Sequence, residues 1–161
     1  MTTTLIETPR DFTFVKNGNA VVVPVRHLTI KQISRIGDII HDKIRDERRK
    51  EFIRVSQDLD PKERNRFLID AARANLDVST EEAEALADTD FGVLITLNLA
   101  TDLTVAELTE LTQTPENIDE MDYARYYALG LDIDSLRAAI EAGVQEGGAG
   151  TAATFPEAPE G

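Results

Sequence analysis

Two histidines, thirty carboxylates and no cysteine limit the chemistry open to this chain of 161 residues. Nucleophilic catalysis needs a Ser, Thr or Cys beside a base. The chain has no thiol and no Gly-x-Ser-x-Gly elbow. His27 stands at a strand–helix junction and His41 inside the first long helical pattern, with no nearby Asp/Glu pattern to complete a metal site. Neither Gly-x-Gly-x-x-Gly nor Gly-x-x-x-x-Gly-Lys-Ser/Thr occurs, so no phosphate cradle is visible. Asp90-Phe91-Gly92 spells a kinase magnesium motif, but stands without a Gly-rich or catalytic loop. Asp88 and Asp90 are spaced like the start of a calcium loop, yet Val93 occupies the position that requires glycine. Asp132 and Asp134 fail in the same way at Arg137. No catalytic, cofactor-binding or metal-binding residue is expected, and the chain reads as a non-enzyme.

The charge is unevenly placed. Residues 1–75 hold 15 Lys/Arg and 11 Asp/Glu, a net of +4, whereas residues 76–161 hold 2 and 19, a net of −17. The acidic half repels nucleic acid and anionic lipid. In the other half Arg45, Arg48, Arg49, Lys50 and Arg54 alternate with Asp42, Asp46, Glu47 and Glu51, which cancels most of the local field. Protein partners are therefore expected, without nucleic acid or membrane. The bipolar charge also suits a homo-oligomer, with head-to-tail pairing one route to it. No apolar run reaches the roughly 20 residues of a membrane span. Residues 1–10 lack the basic-then-apolar pattern of a secretory signal. A cytoplasmic location fits these features.

The elements that would display a binding surface are legible in outline. Residues 1–10 read as a flexible arm. A β-hairpin is predicted over 11–25, turning at Asn17-Gly18, with Pro24 marking an edge strand. Thr29-Ile30-Lys31-Gln32 has the form of a capping box and opens a helix over about 30–56. Ile30, Ile33, Ile36, Ile40 and Ile44 share one face of it, and Gly37 permits close approach of another element. Lys43/Glu47 and Asp46/Lys50 are possible four-apart ion pairs. Pro61 begins a helix whose core face is Phe67, Leu68, Ala71 and Ala72. Ser79 or Thr80 caps the next helix. The apolar stretch 91–100 suits either a buried helix or a buried strand, and its helical neighbours favour a helix. Thr104 to Glu107 forms another capping box. A helical region after Pro115 buries Met121, Ala124, Tyr127 and Ala128 and stops at Gly130. A last helix, capped by Asp132 or Asp134, runs through Ile140, and residues 144–161 read as a disordered tail. The fold class is mainly α: a single multi-helix domain over 11–143 with an N-terminal hairpin.

Candidate partner-binding residues come from the two apolar clusters with the most specific spacing. Ile33, Ile40 and Ile44 lie on the isoleucine face. Tyr123, Tyr126 and Tyr127 form the one aromatic cluster in the acidic half.

The strand Val21–Val25 leading into Leu28, Thr29 and Gln32 resembles the tail assembly chaperones of long-tailed bacteriophages over about the first third of the chain. In that family a short extended segment leads through a Leu-Ser/Thr capping box into helices. The resemblance implies a chaperone that binds the tape measure protein and keeps it soluble until tail tube proteins take over. It also implies that a longer frameshifted form can exist, with Gln145–Gly150 placed where a slip could occur. It transfers no catalytic residue. The alternative reading is a structural or adaptor protein retained in a virion or another complex.

Overall fold

The computed structural model describes residues 8–73 and 77–148. Residues 1–7 of the arm predicted over 1–10 and residues 149–161 of the tail predicted over 144–161 lie outside them. The fold is mainly α with one N-terminal hairpin. Two compact units divide the chain, Met1–Leu131 and Asp132–Gly161, where the sequence pattern predicts one domain over 11–143. The division falls just after Gly130, whose φ of 88° ends the preceding helix.

In the first unit, β1 (Arg10–Lys16) pairs antiparallel with β2 (Asn19–Val25), Phe14 facing Val21 and Arg10 facing Val25. Asn17 (φ 52°) and Gly18 (φ 74°) supply the two positive φ angles of a tight two-residue turn. Alternation puts Phe12, Phe14, Val23 and Val25 in the core. Both sheet edges are tied to the helices. On the β2 side, the Arg26 N–H donates to the Ala100 carbonyl at 2.9 Å and the Leu28 N–H to the Ala128 carbonyl at 2.7 Å. On the β1 side, the buried Asn117 accepts from the Val15 N–H at 2.7 Å and donates to the Val15 carbonyl at 2.8 Å.

The helices follow as α1 (Ile30–Ser56), α2 (Pro61–Arg73), α3 (Thr80–Ala87), α4 (Asp90–Ala100), α5 (Val105–Thr112) and α6 (Ile118–Ala128), with a 3-10 turn at Pro115–Asn117. Thr29/Gln32, Ser79/Glu82 and Thr104/Glu107 are reciprocal capping boxes, each satisfying two otherwise unpaired N–H groups. Ser79, not Thr80, is the cap of α3.

The apolar stretch is a helix, α4, and it occupies the centre, packing against α1, α3, α5 and α6. Its hydrophobicity runs round most of its circumference, as a buried helix requires. Thr96 is tolerated there because its hydroxyl donates to the Gly92 carbonyl at 2.8 Å. Val93, Leu97, Ala100, Leu108, Leu111, Met121, Ala124 and Ala128 join the hairpin residues in one core.

The isoleucine face of α1 is only partly a core face. Ile36 and Ile40 are buried and Ile44 packs on the core, but Ile30 in the first turn is 88% exposed. The α2 face is also shallower than its pattern predicts: Phe67, Leu68 and Ala71 are half-buried, Ala72 is exposed, and α1 is α2's one substantial neighbour. Lys43 pairs with Glu47 at 3.1 Å, whereas Asp46 takes Arg49 at 3.0 Å rather than Lys50. The guanidinium reaches back one turn and leaves Lys50 without an ion pair among the described residues.

The second unit contains α7 (Ile133–Gly148). Asp132 caps it, accepting from the Ser135 N–H at 3.2 Å and the Ser135 hydroxyl at 2.7 Å. The helix continues past Ile140 to Gly148, so residues 144–148 of the predicted tail are helical. The helix-favouring residues around Gln145 and Glu146 outweigh the glycines there.

Candidate functional site

A cleft of about 310 Å³ opens between α1 and α3. Ile36, Gly37 and Ile40 form its α1 wall, Ala83 and Ala87 its α3 wall, and Leu129 reaches it beyond the end of α6. Three local devices create it. Arg48 ties the start of α3 to α1, donating to the Asp77 carbonyl at 2.8 Å and to the Glu82 carboxylate. Gly92 brings α4 against the end of α3: a Cβ built there would stand 1.9 Å from the Ala87 oxygen. Gly37 leaves the cleft open, since a Cβ built at that position meets nothing within 4 Å.

Polar groups stand among the apolar lining of this cleft. His41, Thr80, Glu84 and Arg125 line it. The Arg125 side chain is only 9% exposed and its Nη2 lies 3.0 Å from the Asp88 carboxylate. Its guanidinium also lies over the Tyr126 ring, 5.5 Å from the centroid. Glu82 is held well below the usual carboxylate range, at about 2, by the Ser79 N–H first and the Arg48 guanidinium next. Glu84 is the α3 carboxylate that lines the cleft, while Glu82 is taken up by Arg48 and the Ser79 N–H. The arrangement offers shape and apolar contact.

The predicted partner-binding residues do not form one surface. Ile40 lines the cleft, and Ile33 is 38% exposed one helical turn before Gly37. Ile44 is half-buried against the core. The tyrosines lie on α6. Tyr127 packs beneath the hairpin, with ring centroids 5.7 Å from Phe12 and 4.1 Å from His27, and the Arg10 guanidinium is 5.8 Å from its centre. Tyr123 is half-buried on the core and Tyr126 lies under Arg125. The α3 wall has a quiet sequence signal, small residues at Ala83 and Ala87 spaced one turn apart, to be combined with Gly37 across the gap.

Two further surface features share the first unit. A groove of about 320 Å³ lies between the far end of α1 and α2, lined by Arg49, Phe52, Ile53, Leu68, Ala71 and Ala72. A smaller cleft of about 180 Å³ at the start of α6 has Val93, Ile118 and Met121 as apolar lining and Asp88, Asp90 and Asp122 as its acidic members. Burial raises the Asp122 pKa, opposed by Arg125 and reinforced by Asp119, Asp88 and Asp90. Among the described residues no group of three or more His, Cys, Asp or Glu is arranged to hold a metal ion. No described helix is long and apolar enough to cross a membrane.

Comparison of the chain with family models, curated proteins and solved structures finds no match.

Proposed function

We propose that this chain is a non-enzymatic tail assembly chaperone of a long-tailed bacteriophage, acting in the host cytoplasm. It holds apolar helical segments of the tape measure protein soluble until tail tube proteins replace it. The observation that carries the reading is the α1–α3 cleft, an apolar slot with small residues on both walls and Glu84 among its polar lining. Such a slot takes one face of an amphipathic helix, whose large apolar side chains enter between α1 and α3. Gly37, Ala83 and Ala87 let the incoming backbone approach closely, and Glu84 favours a basic residue on its flank. Ile33 extends the apolar contact along α1. The net charge of −13 keeps the loaded complex in solution. The strand leading into the Thr29/Gln32 capping box supports the same reading through its resemblance to that family.

The test is quantitative mass spectrometry of purified particles beside infected-cell lysate, with affinity capture of the chain from the lysate. A chaperone co-purifies with the tape measure protein before assembly and is absent from finished particles. Stoichiometric retention in the particle would replace this reading with that of a structural or adaptor protein.

A further inference from the structure

The helical hairpin formed by the far end of α1 with α2 has a feature that client binding in the α1–α3 cleft leaves unexplained. No residue of α2 is buried, although its apolar residues have helical spacing. Past Ile40, Ser56 is the one buried residue of α1. Ile53 is 54% exposed and Ile69 is 52% exposed. The hairpin is nonetheless firmly built. Phe52 meets Phe67 edge-on at 6.1 Å, and Arg64 closes the connection by donating to the carbonyls of Ser56, Gln57 and Leu59. Asp60 caps α2 through the Lys62 and Glu63 N–H groups. An apolar groove is therefore open to solvent.

Cations outnumber carboxylates on α2, where Lys62, Arg64, Arg66 and Arg73 stand beside Glu63 and Asp70. Arg49 lines the groove and pairs with Asp46 at 3.0 Å; outside the lining, Lys50 stands one turn before Ile53, and Arg66 and Arg73 lie one turn either side of Ile69. Lys50, Arg66 and Arg73 form no ion pair among the described residues. The matching surface is on the same chain. Ile118, 56% exposed at the start of α6, sits in a cleft with Asp88, Asp90 and Asp122, and Glu116 and Asp119 adjoin it in sequence. Arg125 is the one basic residue from 76 to 131, and it is buried against Asp88. One face is thus apolar beside an excess of cations and the other apolar with an acidic border, each with an isoleucine exposed by more than half.

We infer that copies of this chain associate head to tail, the α1–α2 groove of one copy receiving the Ile118 face of the next. Burial of the two apolar faces and attraction between the opposed charges together hold the contact, and the charges also set orientation and raise the association rate. The contact is heterologous: each copy keeps one face of each kind, so assembly proceeds to a closed ring or an open filament. It is independent of client capture, which uses the α1–α3 cleft.

The inference is tested by sedimentation of the full chain and two surface variants, Ile53→Glu and Ile118→Lys. Both positions are more than half exposed, and circular dichroism with a thermal melt checks that each variant folds. Wild type should form concentration-dependent oligomers at low ionic strength, reduced in salt near 1 M, where the Debye length is about 3 Å. Each variant alone should sediment as a monomer. An equimolar mixture should give a 1:1 heterodimer and nothing larger, because one intact groove and one intact Ile118 face remain. An Ile118→Lys chain that still self-associates would show groove-to-groove pairing and overturn the inference. So would a wild-type monomer at all concentrations, or a mixture that stays monomeric. If either variant fails to fold, Arg66→Glu and Asp119→Arg replace it in the same mixing design.

Discussion

Asn117 is where hairpin and helices are joined, and removing its amide gives a sharp test of the architecture. The residue is 1% exposed. Its oxygen accepts from the Val15 N–H at 2.7 Å, and its amide nitrogen donates to the Val15 carbonyl at 2.8 Å and the Leu111 carbonyl at 3.1 Å. These bonds fix the amide orientation, since only the nitrogen can serve two carbonyls. Val15 faces Ala20 in the register, and its outward N–H and C=O lack a neighbouring strand. Asn117→Ala leaves one donor and two acceptors without this partner and removes buried atoms. A buried polar group left unsatisfied costs about 1–3 kcal/mol. Water can reach the half-buried Val15, so the expected total is about 2–4 kcal/mol rather than the sum over all three groups. That lowers the melting temperature by on the order of 10 °C for a unit of this size. Denaturant titration gives the energy, and hydrogen exchange at the Val15 amide locates it. A loss below about 0.5 kcal/mol with Val15 protection intact would refute the assignment of Asn117 as the clamp.

Other consequences follow from individual contacts. Gly92→Ala should destabilise by roughly 3 kcal/mol or more, since its Cβ would meet the Ala87 backbone rather than a movable side chain; thermal unfolding measures it. Gly37→Ala should instead stabilise by up to about 1 kcal/mol, because its Cβ meets open space within a helix. Glu82 has a folded pKa depressed from 4.5 to about 2, so its contribution is present above pH 4.5 and is lost as pH falls towards 2. Glu82→Gln should therefore flatten the acid limb of a stability–pH curve in that window. Amides of α2 should exchange faster than those of α4, since α2 buries no residue and α4 buries five.

Much of the fold was legible because local chemistry and tertiary structure agree. Asn17-Gly18 specifies the hairpin turn, Thr29 and Thr104 start helices by the reciprocal bonding that their spacing predicts, and Ser79, one of two candidate caps, starts α3 in the same way. Gly130 stops α6 through its positive φ. What local patterns could not convey is which apolar faces find a partner. Ile33 and Ile40 share a stripe on α1, yet Ile33 is 38% exposed and Ile40 only 4%, because α4 packs on just part of the helix. Phe67 and Leu68 look like core residues, but their helix has one substantial neighbour. The clamp made by Asn117 spans 102 positions, beyond the reach of any local motif. The α1–α3 cleft was half visible, in Gly37 and Ile40. Its other wall depends on Gly92 drawing α4 against Ala87, a close approach that spacing alone does not reveal.

The proposal that a client helix occupies that cleft is most directly tested by Gly37→Leu. The added side chain projects from a position with open space around its Cβ, and it removes a helix-destabilising glycine, so the fold should keep its melting temperature. Binding is measured by titration calorimetry against the tape measure segment that co-purifies with the wild-type chain, with Gly37→Ala as the control. Affinity should fall at least about tenfold for Gly37→Leu, equivalent to about 1.4 kcal/mol, and much less for Gly37→Ala. A folded Gly37→Leu chain that binds the segment as tightly as wild type would contradict the assignment of the α1–α3 cleft as the client site.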